Sequence, residues 1–127
     1  MSVKISVSVG ELVDKITILK IKKKKIQDPS KLTFVEKEFS ILSELLSDLK
    51  LVGIEPFLAE LEKINTDLWE IEDDIREKER QKAFDEEFIA LARSVYITND
   101  KRFEVKARCN STYGGDIQEV KSYQDYK

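Results

Sequence analysis

From residue 9 onward, apolar residues recur every three or four positions in four separate runs, the spacing of one face of an α-helix. The first run, Leu12, Ile16 and Leu19, predicts a helix over 9–27. Ser8 with Glu11 three positions on forms a capping box at its start, and Asp28-Pro29-Ser30 stops it and opens the next helix. The second run, Leu32, Val35, Phe39, Leu42, Leu46 and Leu49, predicts a helix over 29–51 with strict 3-4 spacing, the pattern of a bundle seam. Gly53 ends it and Pro56 begins a third helix over 56–80, seamed by Phe57, Leu61, Ile64, Leu68, Ile71 and Ile75. A fourth helix is predicted over 85–110 through Phe88, Leu91, Ala92 and Val95, with Gly114-Gly115 as the break after it.

Both ends of the chain have a different period. Val3, Ile5 and Val7 alternate with Lys4 and Ser6, which predicts a short strand. The tail over 114–127, with Ile117, Val120 and Tyr123, offers a strand beside it, in the same chain or from a partner chain. The expected fold is mainly α: one domain over 1–127, an antiparallel four-helix bundle with short extended segments at its termini.

Helix 4 breaks its own pattern. The line of Phe88, Leu91, Ala92 and Val95 continues as Asn99, Arg102, Phe103, Lys106 and Asn110, so a core-facing stripe turns amide and cationic halfway along. Unpaired buried charge is costly, so these groups must meet carboxylates, water or a ligand. On helix 3, Asn65, Trp69, Glu72 and Arg76 form a 4-3-4 line beside the apolar seam. In an up-down bundle these two stretches adjoin each other and the first turns of helix 1, including Glu11, Asp14 and Lys15. A polar pocket follows, lined by Asn65, Glu72, Asn99, Arg102 and Lys106, walled by Trp69 and Tyr96, with Lys15 and Arg76 within reach. The plainer alternative is that the same charges form structural ion pairs at helix ends.

Other signals are weaker. Glu70, Asp73 and Glu79 invite comparison with helical hydrolases that hold magnesium through paired carboxylates, but few acidic residues fall in register. Lys22 to Lys25 spread around the helix and suit its negative C-terminal end. Ile18 and Ile21 lie opposite the helix 1 seam, as an exposed apolar strip suited to a subunit contact.

Composition narrows the chemistry. The 127 residues include no histidine, which excludes imidazole bases, Ser-His-Asp sites and His-ligated zinc. One cysteine, Cys109, makes no internal disulfide, which fits a cytoplasmic protein. Charged residues reach 37%, yet 22 basic against 25 acidic leave a net charge of −3, so no global field favours nucleic acid or an anionic membrane.

Three blocks carry a resemblance. They are Val9-Gly10-Glu11-Leu12-Val13-Asp14-Lys15-Ile16-Thr17-Ile18-Leu19, Leu68-Trp69-Glu70-Ile71-Glu72-Asp73-Asp74-Ile75-Arg76, and Leu91-Ala92-Arg93-Ser94-Val95-Tyr96-Ile97-Thr98-Asn99-Asp100-Lys101-Arg102. Together with Glu119-Val120-Lys121-Ser122-Tyr123 they resemble a small uncharacterised helical family of bacteria and their phages. That family brings no assigned activity. Its occurrence in phages implies an accessory protein that sequesters a host metabolite or nucleotide signal.

The function expected from the residues is non-enzymatic binding of a small anionic, nucleotide-like molecule, with no cofactor. Arg102 and Lys106 would pair with the anion, Asn65 and Asn99 would read polar edges, and Trp69 or Tyr96 would stack. Glu72 would orient the arginine or accept a ribose hydroxyl. The competing expectation is a homo-oligomeric interaction module whose polar core sets bundle register. A magnesium-dependent helical hydrolase comes third.

Overall fold

The computed structural model describes residues 1–127 as four helices in the order α1 (Val9–Lys25), α2 (Pro29–Leu49), α3 (Glu55–Gln81) and α4 (Glu86–Tyr113). Each lies within a few residues of its predicted span because the local stop and start signals operate. The Ser8 hydroxyl accepts the Glu11 N–H at 3.1 Å, and Asp85 accepts that of Phe88 at 3.0 Å. Asp28 caps α2 in the same way, with Pro29 in its first turn. Lys50 (φ 50°) closes α2, and Gly53 takes φ 80° in the turn that follows, a conformation glycine adopts without steric cost. The charged stretch 77–81 is helical, with Arg80 paired to Glu77.

Packing is uneven. The backbone of α1 approaches all three other helices, whereas that of α2 approaches α1 and neither α3 nor α4. Ion pairs mark how α3 and α4 lie together. Glu60 meets Arg108 near the start of one and the end of the other, and Lys78 meets Asp85 and Glu87 beside their connecting turn. The apolar core gathers where α1 begins, α3 begins and α4 ends. Val13, Ile54, Leu61, Val105 and Cys109 are buried there, with Phe57, Leu58 and Tyr113 packed around them. No residue between 66 and 104 is fully buried, so the far halves of α3 and α4 meet along a half-buried seam. No helix is long and apolar enough to cross a membrane.

Two sequence expectations change. The alternating residues 3–7 and the tail form no strand. Val3, Ile5 and Val120 are largely exposed, and an isolated strand pair without an apolar face to cover is marginal in water. The tail instead returns along α4 through side chains: Glu119 reaches Lys106, Lys121 sits over the Phe103 ring, and Tyr126 meets Tyr96 edge to face. The second change concerns Ile18 and Ile21, which are not an exposed strip. Ile21 is buried and Ile18 half-buried, because a helix packed against three neighbours buries more than one face.

Candidate functional site

In the polar half of the α4 stripe Lys106 and Asn110 are buried and Asn99 and Arg102 half-buried, and the partners of Arg102, Lys106 and Asn110 come largely from α1. Gly10, Asp14, Thr17 and Ile21 step by 4, 3 and 4 along α1, placing a second line beside the Leu12–Ile16–Leu19 seam. All four are buried, and Asp14 is wholly inaccessible. Arg102 grips Asp14 through two parallel bonds, Nε to Oδ1 at 2.9 Å and Nη2 to Oδ2. Asn65 Nδ2 donates to Asp14 Oδ1 at 2.8 Å and to Thr17 Oγ1 at 2.9 Å, and the Thr17 hydroxyl donates to the Asp14 carbonyl at 2.7 Å. Lys106 Nζ reaches Glu11 at 2.8 Å, Glu119 at 3.3 Å and Asp14 at 3.9 Å. Every buried side-chain polar atom has a partner.

This network holds α1 against α4 at close range. The Gly10 N–H donates to Asn110 Oδ1 at 2.7 Å, and a Cβ at residue 10 would sit 2.7 Å from the Lys106 carbonyl oxygen. Glycine is therefore required there for approach. The hydrogen bonds to Asp14 raise the Arg102 pKa further above its ordinary value; burial opposes this, and the charges of Asp14, Glu11 and Glu119 add to the rise. Cys109, in the apolar core, is pushed up to about 11 by burial, so its thiol is neutral and unreactive at physiological pH.

Beside Arg102 a cleft of about 560 Å³ opens between α1, α3 and α4. Asn65, Trp69, Glu72, Arg76, Asn99 and Arg102 line it, with Ile18, Ile21 and Leu68 as its apolar floor and Asp73 at its edge. Six of the nine residues singled out from sequence thus share one cavity. The Asn99 amide makes no hydrogen bond within the chain (none of the chain's side-chain bonds involves it), while the Asp14 pair engages only part of the Arg102 guanidinium.

The other three lie elsewhere. Lys106 is 5% exposed at its side chain and held by carboxylates, so it is a strut between α1, α4 and the tail. Tyr96 stands one position off the stripe and packs on Tyr126. Lys15 is exposed and borders a smaller cleft with Lys22, Glu38 and the far side of Arg102. Glu72 pairs with Arg76, its neighbour one turn on, and not with Arg102. Sequence reading passed over Asp14 as the centre of the network, together with Thr17 and Glu119. The 4-3-4 line from Gly10 was the available signal for the first two; Glu119 stood in the resembling tail block, with no period tying it to Lys106. No three acidic or cysteine side chains stand close enough to share a metal ion.

Fold and site together define an all-helical protein with a buried, fully paired polar network and a polar cleft beside it. The chain belongs to the family of unknown function DUF6165, whose model matches residues 1–126. No curated protein and no solved structure matches it.

Proposed function

We propose that the protein binds a small planar, nucleotide-like molecule in the cleft beside Arg102, without turning it over. The observation that carries this reading is the convergence of Trp69, Asn99, Arg76 and the outer edge of Arg102 on one cavity. Trp69 supplies a flat face for a ring, the Asn99 amide a donor and an acceptor for its edge, and the two guanidinium groups a seat for an acidic group. Glu72 and Asp73 share the same walls. Their charge opposes a polyphosphate and limits the ligand to one acidic group, as in a nucleoside monophosphate. Lys106 takes no part in binding, because its ammonium is already surrounded by Glu11, Glu119 and Asp14. Sequestering or sensing such a molecule, in a bacterium or its phage, is the role this reading assigns.

Trp69 is the chain's only tryptophan, so its emission reports on the cleft directly. Nucleosides, nucleoside monophosphates and nucleoside triphosphates are titrated against that emission and against thermal stability. A monophosphate at about a hundred times its Kd should add about 2.7 kcal/mol of stability. Asn99→Ala and Arg76→Ala should remove the added stability and leave the free protein's melting unchanged. Unchanged Trp69 emission across the panel, with no small molecule released from denatured native protein, refutes the reading.

A second reading, a homo-oligomeric interaction module, is favoured by the complete pairing of the buried charges, which fixes the register of α1 on α4 with no ligand involved.

A further inference from the structure

α2 is the helix whose surface the fold leaves least accounted for. Its inner positions, Val35, Phe39 and Leu46, face α1 and the core. A second line, Phe34, Ile41, Leu45 and Leu49, steps by 7, 4 and 4 along another side and is 77, 56, 47 and 47% exposed. At 1.5 Å per residue this stripe is about 22 Å long. Exposed apolar surface of this kind, interrupted on the same face only by Glu38, marks an interface. Glu38 falls within the stripe's span, beside Lys15 and Lys22 of α1.

The charges of α2 point the same way. No charged side chain of this helix makes an ion pair within the chain, although α1, α3 and α4 all do. At 100° per residue, Lys37, Glu44 and Asp48 share one edge of the stripe, with the cation toward the N-terminus and the carboxylates toward the C-terminus.

We propose that a second copy of this chain docks here, α2 against α2 in opposite directions, with the two-fold axis passing near Ile41. That rotation brings Lys37 between Glu44 and Asp48 of the second copy, and symmetry repeats the contact. A parallel pair would instead set this edge against the opposite edge of the second α2, so Lys37 would meet neither Glu44 nor Asp48. Opposed helix dipoles also favour the antiparallel pair. An anionic membrane is a poor occupant, since two carboxylates flank the stripe. The dimer goes beyond the ligand reading and does not rest on it.

Sedimentation equilibrium of the full chain over a range of concentrations tests it. The wild type should pass from monomer to dimer mass. Ile41→Glu should be monomeric with an unchanged helical circular dichroism spectrum, because the side chain is exposed in the single chain. Lys37→Glu and Glu44→Lys should each weaken the dimer about tenfold, the scale of two ion pairs turned repulsive. The double variant K37E/E44K should recover part of the lost association, as should an equimolar mixture of the two single variants. The unchanged Asp48 faces the carboxylate introduced at position 37 and keeps both below the wild type. A wild-type mass that stays monomeric to millimolar concentration overturns the proposal. So does a dimer that survives Ile41→Glu, which would mean another surface, or single charge variants that associate as tightly as the wild type.

Discussion

Asp14 and Arg102 stand 88 residues apart in the chain and meet through two parallel hydrogen bonds, one of them 2.9 Å long, with the Asp14 carboxylate wholly out of water. The pair joins the first turns of α1 to the second half of α4, and Asn65 ties the same carboxylate to α3. One acidic side chain thus fixes the mutual position of three helices, and these three form the cleft.

Removing one member strands the other. Arg102→Ala leaves a buried carboxylate with no cation in bidentate reach, and the expected cost is about 3–5 kcal/mol in urea unfolding. Replacing both, Asp14→Leu with Arg102→Leu, should cost less than the sum of the single changes, because no charge is left behind. An additive result would show that the two residues act independently. Arg102→Ala therefore alters stability as well as any binding, and Asn99 and Arg76 are the cleaner probes of the cleft.

Gly10→Ala tests the close approach of α1 to α4. In an isolated helix the change stabilises by about 1 kcal/mol. Here the added methyl would lie 2.7 Å from the Lys106 carbonyl oxygen and 2.9 Å from Asn110 Oδ1. The expected net effect is a loss of about 1–3 kcal/mol, because the two helices must part and the Gly10–Asn110 bond lengthens. A higher melting temperature would show that the contact gives way freely.

Cys109 should resist alkylation at pH 8 in the native protein and react at once in denaturant. Its thiol is raised to about 11 by burial. The neutral thiol is thus favoured in the fold, and its contribution is complete below the unfolded value and is lost as pH rises toward 11. Rapid labelling of native protein at pH 8, followed by mass spectrometry, would contradict this.

Glu62 gives the acid-side prediction. Burial alone would raise its pKa, but the bonds from Lys20 (3.1 Å) and Lys24 (3.3 Å) outweigh that and hold it below its ordinary 4.5. The stability from this cluster is present above pH 4.5 and lost as pH falls through the lowered value. Glu62→Gln should cost up to about 1 kcal/mol at neutral pH, since both lysines are largely solvated. Urea midpoints of the two proteins should converge in acid; a constant gap would exclude the ion pairs as its source.

What the chain sequence determined by itself is local. Ser8, Asp28 and Asp85 cap helices because each side chain reaches a backbone N–H two or three residues away. The 3-4 spacing set the seams, and the change from Val95 to Asn99, Arg102 and Lys106 marked α4 as carrying a polar core. The 4-3-4 line on α3 was equally legible, and it lies along the cleft as a line on one face must. Tertiary structure decided which buried charges are partnered and by what. Asp14 and Arg102, or Lys106 and Glu119, find each other through packing, and their spacing in sequence carries no period that betrays the contact. Packing also made α1 the central helix, burying Ile21, and left α2 on the outside with Phe34 and Ile41 in water. A helical period states which residues share a face; how many faces are covered depends on neighbours that only the assembled fold supplies.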